Sequence, residues 1–386
     1  MKKINAKQLL AIAVCGLALA SCGGGGGGAP TTGNGGNGSG GSGNSGNSNG
    51  GTPTPPTPPA NPISMNIYAG KDYPNEPIVV VYINGQPVKM LLDTGASGVL
   101  VNQGAVSIPQ SAYTSQTFSL TYGGGTTASG TVAIATVCPT SSTVGCVTMP
   151  IAVNSQTSGP NVSFPSADEA QGDFGMSCGY NTQGGPNTFC YLYYLWQQNP
   201  SYSSYSLSFN VPSNTFYYTP STTTPIGTIT YGSFSASKLI SYSILTANVV
   251  YGNSLTIPTM FDTGSPEILL QRSVLQAEIP NFSTSSDENA CGLSSEVQGG
   301  FNLYYQIPYA NSNSMFSTTF TTEPTSNMCN VLFSNIPHIL EGWTLDLGTT
   351  SYSLITFADV GLPEMVRHSY IWILGKYGMV QYVGVE

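Results

Sequence analysis

The chain carries little charge: only 7% of its residues are Asp, Glu, Lys or Arg, with nine basic residues against eighteen acidic ones. Lys2, Lys3 and Lys7 crowd the amino terminus, so residues 23–386 keep only Lys71, Lys89, Lys238, Arg272, Arg367 and Lys376. A nucleic-acid-binding face needs clustered cations to neutralise phosphates. No such run or basic stripe exists, which excludes nucleic acid as a partner class. Histidine is also scarce, with His338 and His368 alone, and no Cys-x-x-Cys pair accompanies them. Neither a metal nor another cofactor is therefore expected. Helical periodicity is rare; short helices are expected at Tyr191–Gln198 and Leu269–Ile279. The apolar run Leu9–Ala20 is too short to span a bilayer as a mature helix. Few cations also mean little self-repulsion once acid neutralises the carboxylates, so the sequence predicts acid tolerance.

Three kinds of segment fill the chain. Residues 1–22 have a basic start and an apolar stretch, and Leu19-Ala20-Ser21-Cys22 resembles the bacterial lipoprotein cleavage box, with Cys22 the lipidated residue. The other reading is an ordinary secretory signal cut after a small residue. Gly23 after the cysteine implies, by that resemblance, the outer membrane, with the lipid as the only membrane contact. Residues 23–62 are Gly/Asn/Ser repeats followed by Thr52-Pro53-Thr54-Pro55-Pro56, too poor in apolar residues to offset the entropy of ordering. They read as a flexible and then stiffer tether.

From Ile63 onward the sequence is that of an all-β protein. Period-two runs recur, as in Ile78-Val79-Val80-Val81-Tyr82-Ile83, Thr131–Ala135 and Tyr205–Val211, and Asn84-Gly85 is a hairpin turn signal. The length suits two lobes, set at residues 63–235 and 236–386. With Cys15 and Cys22 in the leader, Cys138, Cys146, Cys178, Cys190, Cys291 and Cys329 remain. Fifteen pairings are open in principle, and sequence neighbours suggest Cys138–Cys146, Cys178–Cys190 and Cys291–Cys329.

The organising feature is a repeat. Met90-Leu91-Leu92-Asp93-Thr94-Gly95-Ala96-Ser97 returns as Met260-Phe261-Asp262-Thr263-Gly264-Ser265: an apolar strand entering a tight turn that carries one acid. A single copy reads as a capped turn, since Asp, Thr and Gly all favour turns. Two copies in the same apolar setting can face each other across a pseudo-two-fold axis. Asp93 and Asp262 would then adjoin, where both cannot easily be ionised at once.

These motifs resemble the pepsin-like, two-lobed aspartic peptidases. Phe118-Ser119-Leu120-Thr121-Tyr122-Gly123-Gly124-Gly125-Thr126 is similar to that family's flap hairpin, with Tyr122 at the flap-tyrosine position. Tyr370-Ile371-Trp372-Ile373-Leu374-Gly375 resembles the segment threading behind the second catalytic loop. Gly172-Asp173-Phe174-Gly175 resembles its first-lobe counterpart less well, and Gly227–Gly232 the strand closing the first lobe. The paired triplets behind a glycine-rich leader also resemble a group of bacterial lipoproteins. The resemblance implies a monomer that hydrolyses peptide bonds, with Asp93 and Asp262 as the catalytic pair. Thr94 and Thr263 would hold the loops in register, and Gly95, Gly264 and Ser265 would donate to the carboxylates. Tyr122 and Gly123 would lie on a hairpin closing over peptide. The Cys291–Cys329 pairing also resembles the family's second-lobe disulfide.

Departures from the family pattern carry expectations of their own. Ala96 stands where a hydroxyl usually bonds the first carboxylate, so Asp93 is expected to carry the proton and activity to extend toward less acidic pH. Leu100 replaces a tryptophan that hydrogen-bonds the flap tyrosine, and Pro266 a small hydroxyl residue. Ile63–Pro77 is short and holds only Lys71, so no charged propeptide is expected. A serine hydrolase is a rival, on Gly175-Met176-Ser177-Cys178-Gly179 with His338 or His368 as base, but the helix-breaking stretch that follows opposes it. An inactive pepsin-like surface module that binds or adheres is the non-enzymatic alternative.

Overall fold

The computed structural model describes residues 62–70, 77–121, 127–158, 170–176, 178, 189–198, 206–211, 223–236, 238–241, 247–251, 255–264, 268–271, 295–296, 302–310, 313–321, 331–334, 358–361, 365 and 368–385. All belong to one compact unit spanning residues 54–386. In the first half the strands are β1 (Ile63–Ala69), β2 (Pro77–Ile83), β3 (Gln86–Asp93), β4 (Ser97–Asn102), β5 (Tyr113–Thr121), β6 (Thr127–Cys138), β7 (Val147–Ser158) and β8 (Gly172–Met176). Helix α1 (Tyr191–Gln198), β9 (Ser206–Asn210) and β10 (Gly227–Gly232) follow. The second half holds β11 (Leu239–Ser241), β12 (Ala247–Tyr251), β13 (Leu255–Phe261), β14 (Ile268–Gln271), β15 (Ser295–Glu296), β16 (Asn302–Pro308), β17 (Met315–Thr321), β18 (Val331–Ser334), β19 (Ala358–Val360), β20 (Tyr370–Leu374) and β21 (Val380–Val385). The all-β expectation holds.

Local chemistry explains the first hairpin. Asn84 and Gly85 both take positive φ, 49° and 77°, the two-residue turn whose twist matches the strands it joins. Ile83 therefore faces Gln86, and β2 and β3 stay in register through Ile78 and Leu91. Alternation along β3 sends Met90 and Leu92 into the main core, while Leu91 joins Ile78 and Ala170 on the other face. β5 and β6 form a second hairpin, paired out to Thr121 and Thr127. Its tip, with Tyr122 and Gly123, lies outside the described residues.

The same threading occurs twice. β8 runs parallel to β3 and antiparallel to β4, while β4 runs parallel to β7. In the second half β19 runs parallel to β13 and antiparallel to β14, while β14 runs parallel to β18. Gly172–Gly175 is thus a threading strand, as the resemblance implied. Tyr370–Leu374 is not: β20 pairs with β9 and β21, and Ala358–Val360 takes the threading role. The apolar run of β20 instead buries Tyr370 and Trp372 between the halves, packed on Phe261 and Phe209.

Strands from both halves meet in antiparallel order β11-β21-β20-β9-β10-β1, and β1 continues this sheet onto β2. Phe261, Tyr309, Phe316 and Met365 join the same buried core as Met90, Val99 and Phe174. Of the expected helices, Tyr191–Gln198 forms, burying Tyr191, Leu192 and Leu195. The Leu269 stretch opens instead as strand β14, because its backbone is held between β18 and β19; residues 272–279 lie outside the described set.

Candidate functional site

Each Asp-Thr-Gly triplet begins at the end of a strand held on its far side by a threading strand. Asp93 closes β3 and pairs with Gly175 of β8; Phe261 closes β13, pairs with Val360, and delivers Asp262. Strand pairing so fixes the exit direction of both turns, and the interlocked threonines bring them together. Thr94 N–H donates to Thr263 Oγ1 (3.0 Å) and Thr263 N–H to Thr94 Oγ1 (3.0 Å). The hydroxyls donate in turn to backbone carbonyls of the opposite strand, Thr94 to Phe261 (3.1 Å) and Thr263 to Leu92 (2.7 Å). The four bonds are reciprocal and buried, which makes the two turns one rigid body. Breaking one leaves a buried donor or acceptor unmatched at about 1–3 kcal/mol.

The acids meet at this junction. Asp93 is 5% exposed and Asp262 6%. Asp93 Oδ1 accepts the N–H groups of Gly95 and Ala96, each at 2.7 Å. Asp262 Oδ1 accepts from Gly264 at 2.7 Å and from Gly95 at 3.1 Å, so one backbone N–H bridges both carboxyls. The two side chains also hydrogen-bond each other. Burial lifts the Asp93 carboxyl above its ordinary range, opposed by the hydrogen bond with Asp262 and by those from Ala96 and Gly95. Two carboxyls in contact and sheltered from water hold one proton more readily than none, which makes the pair an acid and a base together.

The glycines are required by close approach. A Cβ on Gly95 would sit 2.7 Å from Asp262 Oδ1, and one on Gly264 2.6 Å from Asp93 Oδ2. No side chain fits there without separating the carboxyls.

Asp93, Thr94, Gly95, Asp262, Thr263 and Gly264 therefore converge. Ser265, Tyr122, Gly123, Pro266, Cys22 and His338 lie outside the described residues. The first two disulfides are present, Cys138–Cys146 and Cys178–Cys190; Cys291 and Cys329 also lie outside. Cys178 is thus committed to a disulfide, and Ser177, the nucleophile of the rival reading, lies outside the described residues. His368 packs its ring on Phe316 and Tyr370. Leu100 is buried with Phe118, Ala128 and Val132 beneath the second hairpin.

Sequence reasoning missed the second threading strand. The signal was present: Asp359-Val360-Gly361 repeats the pattern of Asp173-Phe174-Gly175. It also missed Asn154, a buried side chain that donates to Asn102 and Thr157 and accepts from Ser129 and Gln156. This network pins the register shift between β6 and β7 at Ser129/Gly130. No sequence pattern marks it.

Residues 79–159 match the protein family described as gag-polyprotein putative aspartyl protease. The matched stretch runs from β2 through β7 and contains Asp93 and its turn. No curated protein matches the chain.

Proposed function

We propose that the chain is an aspartic endopeptidase working through Asp93 and Asp262, with a peptide or protein as substrate. The observation that carries this is the pair itself: two buried carboxyls bonded to each other and bridged by the Gly95 N–H. The similarity of residues 79–159 to an aspartyl protease family points the same way. In this reading the ionised member takes a proton from a water bound between the acids, and the neutral member hydrogen-bonds the scissile carbonyl. Water adds to the carbonyl carbon without a covalent enzyme intermediate. The proton then passes to the leaving nitrogen. The β5–β6 hairpin, with Tyr122 at its tip, would close over the peptide and exclude bulk water.

Ala96 offers Asp93 a backbone N–H and no hydroxyl, and that N–H and the one of Gly95 both reach Oδ1. Asp93 is proposed as the proton carrier of the free enzyme, and Ala96→Ser is expected to move the acid limb of the pH–rate profile downward; an unmoved limb refutes that assignment. Lipidation at Cys22 and anchoring to the outer membrane through the 23–62 tether are proposed on the leader sequence. Radiolabelled palmitate incorporation lost in Cys22→Ser tests them.

The central test is digestion of a denatured protein in acid by the chain alone, with pepstatin, and by Asp262→Asn. Cleavage by the unmodified chain alone is the expected outcome. Equal rates in all three would instead favour the binding and adhesion module.

A further inference from the structure

Helix α1 buries Tyr191, Leu192 and Leu195 but leaves three further aromatics, Tyr193, Tyr194 and Trp196, half-buried at the surface. A tight turn, Lys376–Gly378, adds a fourth, Tyr377. The rings gather. Tyr193 and Trp196 lie near parallel, at 26°, with centroids 6.4 Å apart. The Tyr377 ring stands 4.8 Å from Trp196 and 6.3 Å from Tyr193, and Tyr194 flanks Tyr193 at 5.2 Å. Apolar groups collected at a surface mark a contact site, where single ones do not.

Two features set this cluster apart from ordinary packing. Tyr377 has φ 65° and ψ 17°, a left-handed backbone that a residue with a side chain adopts at a cost. Gly378 beside it abuts Leu192, so the strained turn is pressed onto α1 and holds the Tyr377 ring in the cluster. The Trp196 indole N–H is sheltered from water and has no acceptor among the described residues. A buried donor without a partner calls for one from elsewhere.

The chain itself carries a fitting segment. Thr54-Pro55-Pro56-Thr57-Pro58-Pro59-Ala60-Asn61 lies outside the described residues. Its prolines favour polyproline II, a helix of three residues per turn, so Pro55 and Pro58 share one edge and Pro56 and Pro59 another. That backbone makes no internal hydrogen bonds, which leaves a carbonyl free for the Trp196 N–H. Aromatic-lined surfaces take such segments because little entropy is lost in ordering them. The segment has no charged side chain, so docking strips no ion of its water.

Its end is also in the right place. Pro62 lies against Gly232, and Ile63 packs on Gly145. Both ends of α1 hold the same loop: the Tyr191 hydroxyl donates to Gly145 O at 2.7 Å and Gln198 Nε2 to Cys146 O at 2.9 Å. Residues 54–61 in polyproline II span roughly 25 Å, about twice the length of α1. The segment therefore reaches any ring of the cluster.

We infer that residues 54–61 dock in cis across the surface made by Tyr193, Trp196 and Tyr377. The prolines cover the rings, and docking withdraws those residues from the tether. Nothing in this depends on peptide hydrolysis or on the Asp93–Asp262 pair.

The test compares the full chain with a full-length variant carrying Pro55→Gly, Pro56→Gly, Pro58→Gly and Pro59→Gly. A synthetic peptide copying residues 54–61 is titrated into each. The Trp196 indole N–H is followed by NMR, its resonance assigned through Trp196→Phe. A short tether presents its segment at an effective concentration on the order of 1 mM, so a nearly filled site requires a Kd of about 0.1 mM or tighter in trans. The peptide is expected to bind the glycine variant at that strength and the unmodified chain about tenfold more weakly, since there the site is already occupied. It is also expected to return the Trp196 resonance of the glycine variant to its position in the unmodified chain. Tyr193→Ala added to the glycine variant is expected to weaken the peptide about tenfold. Should that change unfold the chain, Trp196→Phe, which keeps a ring and loses the donor, is expected to weaken it roughly three- to tenfold. Identical Trp196 resonances in the two chains, equal affinity for both, or no saturation by about 1 mM peptide overturns the inference. A resonance moved by maltohexaose or by raised protein concentration, and not by the peptide, would give the surface to a glycan or a second copy and overturns it equally.

Discussion

Behind Asp93, β8 runs between β3 and β4; behind Asp262, β19 runs between β13 and β14 in the same register. Among the described residues, the donors in front of them differ. Asp93 accepts from two N–H groups of its own turn, whereas Asp262 accepts from Gly264 and from Gly95 of the opposite turn. Residue 265, the counterpart of Ala96, lies outside the described set. Strand pairing repeats because each half of the chain solves the same problem, holding a polar turn at the end of an apolar strand. Proton affinity need not repeat, because it depends on individual donors whose distances differ by a few tenths of an ångström. A symmetric scaffold can thus present an asymmetric pair.

The largest expected effect breaks the pair outright. Asp93→Asn and Asp262→Asn are each expected to lower kcat for peptide hydrolysis by on the order of 10³-fold or more, since either change removes the acid–base couple. A variant retaining over a tenth of the activity would show that one carboxyl suffices. Next come the glycines. Gly95→Ala and Gly264→Ala place a methyl against the opposite carboxyl, and each is expected to cost about 1–3 kcal/mol of stability and most activity. Denaturant midpoints and initial rates check both, and unequal losses would show which turn yields.

Both described disulfides lie in the first half of the chain. Cys178–Cys190 closes a segment of 12 residues and anchors α1, whose Tyr191 hydroxyl donates to Gly145 O at 2.7 Å. The double variant Cys178→Ser, Cys190→Ser is expected to lose about 2–4 kcal/mol by denaturant unfolding. Thr94→Val and Thr263→Val should each cost about 1–3 kcal/mol by stranding a buried N–H of the other turn. Their double variant is expected to lose less than the sum, because the bonds are reciprocal.

The smallest effect concerns pH. Burial raises the Asp93 carboxyl in the folded chain, so its contribution to stability is complete below the unfolded value of 3.8 and is lost as pH rises through the folded value. Asp93→Asn removes the titrating group. It is expected to raise Tm at neutral pH relative to the unmodified chain, with the difference vanishing in strong acid. A difference that grows in acid would mean that burial does not control this carboxyl.

Much of the site is legible in the residues alone. Two Asp-Thr-Gly turns after apolar runs, Asn84-Gly85 between period-two stretches and the Tyr191–Gln198 pattern all specify local structure through turn chemistry and spacing. The errors lie where an apolar run has no local preference. Tyr370–Leu374 and Ala358–Val360 are both short, and only pairing decided that the second, despite its acid, threads while the first joins the halves. Leu269 looked helical by spacing, yet partners on both sides hold it extended.

The two acid-bearing turns, the low charge and the β-rich composition are set by the residues alone, because they depend on residue type and near neighbours. That Gly95 bridges both carboxyls, and that the threonines cross between the two turns, emerges only once the distant strands have paired. So does the matching register of Asp173 and Asp359. Those facts depend on which distant strands pair, and pairing is settled by burial of the whole apolar face at once rather than by any one segment.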